Sequence, residues 1–143
     1  MFLCQAYPNG GTTMEEVYDF LKKCSTYFIA TIDGSKPRVR PFGTVNVFEN
    51  KLYIQTGKVK KVSAQMKANP NIEICAAADG KWVRIEAVAV EDDRLEPRVK
   101  MLEAYPALKA KYAPDDGNTQ VFFLKDATAT IASFTDEPKV IKF

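Results

Sequence analysis

Tyr53-Ile54-Gln55-Thr56-Gly57-Lys58-Val59-Lys60-Lys61-Val62-Ser63-Ala64-Gln65-Met66-Lys67-Ala68-Asn69-Pro70 opens as an apolar strand and turns at Gly57. It continues as a short helix in which Val59, Val62 and Met66 recur at intervals of three and four. Asn69-Pro70 ends it, because the residue before a proline is pushed out of the helical region. The charge on the turn breaks a local rule. Lys58, Lys60 and Lys61 fall on the first helical turn, where the positive end of the macrodipole favours Asp or Glu. Such breaks gather at functional sites, and an anion held by free backbone N–H groups, the dipole and two or three ammonium groups explains this one. Phosphate is the expected anion. The same lysines also read as an ordinary solvated face, and taken alone the pattern leaves both readings open.

Twenty basic against eighteen acidic residues leave a net charge of +2 over 143 residues. That is too little for a whole-molecule field that would draw in nucleic acid or an anionic membrane, so the lysine cluster is local. The length suits one domain, residues 1–143, with a real core. A content of 46% hydrophobic and 27% charged residues is ordinary for a soluble chain. No apolar run approaches bilayer length, and Met1-Phe2-Leu3-Cys4-Gln5 lacks the flanks of a signal peptide. The expected location is the cytoplasm. Histidine is absent, which removes a Ser-His-Asp triad, a Cys-His pair, a typical zinc hydrolase site and a proximal-His haem. Cys4, Cys24 and Cys75 are odd in number and widely spaced, so they form neither a zinc pattern nor a closed disulfide framework. Cys24 and Cys75 lie among apolar neighbours and read as buried thiols.

Outward from the central stretch, residues 1–11 read as a loose start. Thr13-Met14-Glu15-Glu16 has the form of a capping box, and Val17, Phe20, Leu21 and Cys24 then predict an amphipathic helix over about 13–24. Tyr27 to Ile32 is a strand that turns at Asp33-Gly34. A second strand over about 37–48 carries Arg38, Arg40, Phe42, Thr44 and Asn46 on one face. Val39, Pro41, Gly43, Val45 and Val47 lie on the other, which is expected to be core. Pro37 and Pro41 cannot donate to a ladder, so this strand is expected at an edge or bulged near its start, with backbone groups free for a ligand. Glu49-Asn50-Lys51 turns it into Leu52 to Gln55 as a hairpin. Antiparallel pairing is then expected to set Gln55-Thr56 beside Arg38-Val39-Arg40, bringing arginines and lysines to one corner. Further strands are expected over 72–78, 81–91, 119–124 and 127–134, the last two around a Lys125-Asp126 turn. Helices are expected over about 94–105 and 107–112, and residues 137–140 read as a tail. This is a mainly β or α+β pattern, an antiparallel barrel of six to seven strands with small flanking helices.

The ordered series helix, Tyr27-Phe28-Ile29-Ala30-Thr31, Lys36-Pro37-Arg38-Val39-Arg40-Pro41-Phe42, Leu52-Tyr53-Ile54-Gln55-Thr56-Gly57, then Lys60 to Ile74, resembles the pyridoxamine 5′-phosphate oxidase-like family of FMN-binding split barrels. The resemblance runs from about residue 12 to residue 143 and includes Trp82-Val83-Arg84-Ile85. It implies FMN as cofactor, with Arg38, Val39, Arg40 and Pro41 alongside the flavin and an arginine toward its phosphate. Gln55 and Thr56 then line the ring and ribityl region, and Lys60 and Lys61 grip the phosphate. It also implies a homodimer with the flavin in a groove built by both subunits. The chain departs from full pyridoxamine 5′-phosphate oxidases in its last third, with no Arg after Arg98 and Trp82 its one Trp. Vitamin B6 oxidation is therefore not expected. Ala87 stands where relatives usually carry Gly.

The resemblance implies an FMN-dependent oxidoreductase of unknown small substrate, a nitro- or quinone-type acceptor or a nicotinamide nucleotide. The alternatives are a flavin-holding or stress-related module without robust turnover, and a relative using the deazaflavin F420. A nucleic-acid barrel in which Tyr27, Phe28, Phe42 and Tyr53 stack bases fits less well with charge confined to one corner. No carboxylate pair or activated nucleophile assigns a catalytic residue. Trp82 either stacks on a partner's flavin or packs at a core or dimer contact. Arg84 and Glu86 face solvent or an interface.

Overall fold

Residues 13–143, which the computed structural model describes, run α1 (Met14–Cys24), β1 (Tyr27–Asp33), β2 (Lys36–Phe42), β3 (Asn46–Phe48), β4 (Lys51–Gly57), α2 (Lys61–Ala68), β5 (Asn71–Ala78), β6 (Lys81–Glu91), α3 (Leu95–Ala104), a 3-10 helix (Pro106–Ala110), β7 (Thr119–Ser133) and β8 (Lys139–Lys142). The loose start expected over residues 1–11 lies outside the described residues. One antiparallel sheet runs β2-β1-β5-β6-β7-β4-β3, with β8 added on β7. Its inner face is filled by alternating residues, Ile72, Ile74 and Ala76 on β5, and Val83, Ile85, Ala87 and Ala89 on β6. Val17 and Leu21 of α1 close this core from outside the sheet, each fully buried aliphatic side chain contributing roughly 1.5–3 kcal/mol.

Turn chemistry set most of the register. The β3–β4 hairpin turns on Glu49 and Asn50, both at positive φ, and the β5–β6 hairpin on Asp79 and Gly80, also both at positive φ. Two-residue turns of that hand match the twist of the flanking strands.

The structure corrects several expectations. The capping box does not form: the Thr13 side chain makes no cap hydrogen bond, and Lys139 Nζ donates instead to Glu16 Oε1 at 3.0 Å. The strand expected over 37–48 breaks into β2 and β3, so Arg38 and Arg40 pair with Thr31 and Ile29 of β1, not with β4. The two faces of β2 are also exchanged. Arg38, Arg40 and Phe42 share the face of Tyr27, Ile29 and Thr31, while Val39, expected in the core, is 68% exposed. Residues 119–133 form one long strand, because the extra residue at Asp126 (φ 51°) is absorbed as a bulge opposite Glu86–Val88. The tail becomes β8, so eight strands are present among the described residues where six to seven were expected. Helix α2 starts at Lys61, leaving Val59 outside it and 85% exposed. Cys24 is half-buried but Cys75 is exposed, since Ile74 and Ala76 on either side already face inward.

Candidate functional site

The end of β2 forms one wall of a cavity. Arg40, Pro41 and Phe42 form that wall of a space of about 550 Å³, with Gln55, Thr56 and Lys60 across it. A neighbouring cleft of about 430 Å³ is bordered by Arg38, Val39, Arg40, Lys60 and Lys61, with Asp33 at its edge beside Arg38. Arg40 and Lys60 belong to both. All eight residues singled out from the sequence therefore meet at one corner, by a route different from the expected hairpin. Gln55 and Thr56 pair with Val121 and Gln120 of β7, and the break after β2 lets Thr44 fold back so that Gln55 N–H donates to its Oγ1 at 3.2 Å.

Two polar atoms in this wall lack partners. Gln55 and Thr56 are only 7% and 4% exposed, and among the described residues neither Gln55 Oε1 nor Thr56 Oγ1 has a hydrogen bond. A buried polar atom left unpaired costs about 1–3 kcal/mol, so the arrangement calls for a partner from the cavity.

The cations are held differently. Arg40 is half-buried and fixed, donating from Nη1 to Thr31 Oγ1 (2.7 Å) and Ile29 C=O (3.3 Å) and from Nη2 to Gln65 Oε1 (2.6 Å). Burial, then the nearby Arg38 charge, lowers the pKa of its guanidinium. Among the described residues no carboxylate pairs with Arg40, Lys60 or Lys61 (Arg38 does pair, with Asp33 at 3.1 Å). Lys60 caps α2 and Lys61 opens it, with no acid in the first turn. The helix start is anchored by Ser63 Oγ, which donates to Gln120 Oε1 at 2.5 Å. A positive helix terminus and two unpaired ammonium groups thus face the cavity and its cleft, an arrangement that attracts anions.

The opposite wall escaped sequence reading. Tyr105, Leu108 and Tyr112, from the end of α3 and the 3-10 helix, line it. Tyr105 is pinned by its hydroxyl, which accepts from Val45 N–H (3.0 Å) and donates to Val45 C=O (3.1 Å). No local signal pairs residue 105 with residue 45; Phe42, by contrast, shares a face with Arg40 and was findable from alternation. The cavity is apolar and aromatic on one side, hydrogen-bonding at Gln55 and Thr56, and cationic at one end.

An antiparallel split barrel with a ligand-sized cavity at the end of one edge strand defines the class. Residues 13–131 match the family described as pyridoxamine 5′-phosphate oxidase, and the chain belongs to that family. A NimC/NimA family protein from Clostridium acetobutylicum is 39% identical, with a TM-score of 0.88 over 91% of this chain and 92% of that one. General Stress Protein 26 from Bacillus anthracis shares the fold at 18% identity (TM-score 0.73, 90% of this chain, 97% of that one). So does a protein from Mesorhizobium loti named as FAD-binding, at 16% identity (TM-score 0.56, 84% and 95%). No curated protein matches the chain. Among the described residues no helix is long and apolar enough to cross a membrane.

Proposed function

We propose that the cavity holds FMN and that the protein is an FMN-dependent oxidoreductase acting on a small molecule. The observation that carries this reading is, among the described residues, the pair of buried oxygens without a partner, Gln55 Oε1 and Thr56 Oγ1, beside a corner where Asp33 is taken up by Arg38 and Lys60 and Lys61 have no carboxylate partner. A ligand with a flat apolar body, a hydrogen-bonding edge and an anionic tail matches all three parts. When bound, FMN supplies hydride exchange at its ring N5. The chain supplies placement. Lys60 and Lys61 act as point charges for a phosphate. Arg40, already spent on Thr31 and Gln65, stiffens β2 and contributes field more than direct contact. Gln55 and Thr56 gain their missing partners, and Tyr105, Leu108 and Tyr112 exclude water from the apolar side. As in its family, the working unit is a homodimer with the flavin near the subunit interface.

The test is flavin affinity in Lys60→Ala/Lys61→Ala. Both lysines are exposed at the rim, so their loss weakens FMN about ten- to thirty-fold and leaves riboflavin, which lacks the phosphate, unchanged. Unaltered FMN affinity contradicts the phosphate assignment. A steady-state assay on the same preparations separates catalysis from mere holding: electron transfer to quinone or nitro acceptors should outpace that of free FMN.

A further inference from the structure

The lysine turn is held by a segment that also forms the far wall of the cavity. Lys58 N–H donates to the Asn118 carbonyl at 2.8 Å, and Val59 N–H donates to Asn118 Oδ1 at 3.1 Å. Gly57 permits the approach, since a Cβ there would lie 3.1 Å from Asn118 Nδ2 and 3.2 Å from its Oδ1. Asn118 is itself fixed by Asp116. The Asp116 carboxylate accepts from Asn118 N–H (2.8 Å), Thr119 N–H (2.7 Å), Ala113 N–H (3.0 Å) and Thr119 Oγ1 (3.0 Å). Ala113 directly follows Tyr112, which lines the cavity and is tied to the end of the 3-10 helix by donating its N–H to Leu108 C=O at 2.8 Å.

A continuous path therefore runs from the aromatic wall at Leu108 and Tyr112, through the Asp116 knot, to Asn118 and the turn that presents Lys60 and Lys61. Nothing else described holds Val59, whose side chain is 85% exposed. Without the Asn118 side chain, the backbone from Lys58 to Lys60 keeps its main-chain bonds at either end, Lys58 N–H to the carbonyl of residue 118 (2.8 Å), Lys60 N–H to Gly57 C=O (3.0 Å) and Ser63 N–H to Lys60 C=O (3.1 Å), and loses the one at Val59 between them. A side-chain acceptor that satisfies a main-chain N–H fixes the backbone at that point, and the positions of the ammonium groups follow from it.

We propose that Asn118 is the positioning residue of the phosphate grip, and that the strap from Tyr105 to Thr119 joins that grip to the opposite wall. The inference rests on the FMN reading. It predicts that Asn118→Ala weakens FMN about three- to tenfold, leaves riboflavin unchanged and speeds hydrogen exchange at the Val59 amide. Gly57→Ala, which presses its Cβ against the Asn118 side chain, gives the same selective loss in milder form. The double variant Gly57→Ala/Asn118→Ala is no worse than Asn118→Ala, because the group being pressed is gone.

These affinities are measured by fluorescence titration of the full chain, next to Lys60→Ala/Lys61→Ala. If the lysine variant loses FMN selectively while Asn118→Ala and Gly57→Ala keep it, the positioning role is overturned and the FMN reading stands. Equal weakening of FMN and riboflavin by Asn118→Ala overturns it too, since that is general loosening of the fold. If the lysine variant keeps full affinity for FMN, both proposals fall.

Discussion

Thr56 concentrates the chemistry of the site in one atom. Its hydroxyl is buried beside the cavity with no partner among the described residues, so the free protein bears its desolvation cost, and a ligand that bonds it recovers part of that cost. Thr56→Val, similar in shape but lacking the hydroxyl, should therefore raise the melting temperature of the flavin-free protein. It should also weaken FMN and riboflavin alike by about three- to tenfold. Thermal unfolding with and without flavin checks both halves; a destabilised free protein with intact affinity would contradict the role given to Thr56. At this scale the sequence was informative about identity and less so about orientation. Strand periodicity put Arg38 and Arg40 on one face, but which face met the core depended on the β1–β2 register. With Tyr27, Ile29 and Thr31 turned inward, the arginines opposite them had to turn inward as well.

Among the elements, α3 matters because its end carries the aromatic wall. Its start is tied down by a clamp: Tyr53 Oη donates to Asp92 Oδ2 at 2.7 Å, while Arg94 bonds Asp92 (2.8 Å) and Glu49 (2.8 Å) and stacks over Phe48 at 5.6 Å. The Arg94 guanidinium, aided by the Tyr53 hydroxyl, holds the Asp92 carboxyl well below its ordinary value of 3.8. A carboxyl depressed in the folded state stabilises the protein above its unfolded pKa and loses that contribution as pH falls through the folded one. Stability from Asp92 should thus be constant near neutrality and decline below about pH 4. Asn in its place should lower the urea midpoint at pH 7 and flatten the decline between pH 4 and pH 2. An equally steep acid decline in Asp92→Asn would contradict this account. The hairpins at Asp33-Gly34 and Glu49-Asn50 were legible because these pairs carry turn chemistry in adjacent residues. The break between β2 and β3 and the merging of 119–133 were not. Both depend on what a strand meets across the sheet: the bulge at Asp126 answers a register shift on β6, and nothing in Lys125-Asp126 itself separates a bulge from a turn.

For the whole molecule, the outer face of the sheet is the unexplained surface. In one register row lie Pro41, Phe28, Cys75, Arg84, Thr130 and Val140, with Phe28 49% and Val140 54% exposed. An uncovered row with apolar ends fits a second copy of the chain, in keeping with the proposed dimer. The family and barrel type were legible because an ordered series of short segments survives the errors in any one of them. The cavity was only half legible, since its lysine turn and β2 are local in sequence and its Tyr105 to Tyr112 wall arrives from some fifty residues away. Sedimentation velocity of the full chain with FMN, followed at a wavelength only the flavin absorbs, tests the central claim most directly. The account predicts that FMN moves with the protein boundary at one per chain and at the mass of two chains. Flavin left behind at the rate of the free molecule, while the protein sediments without it, would contradict the account.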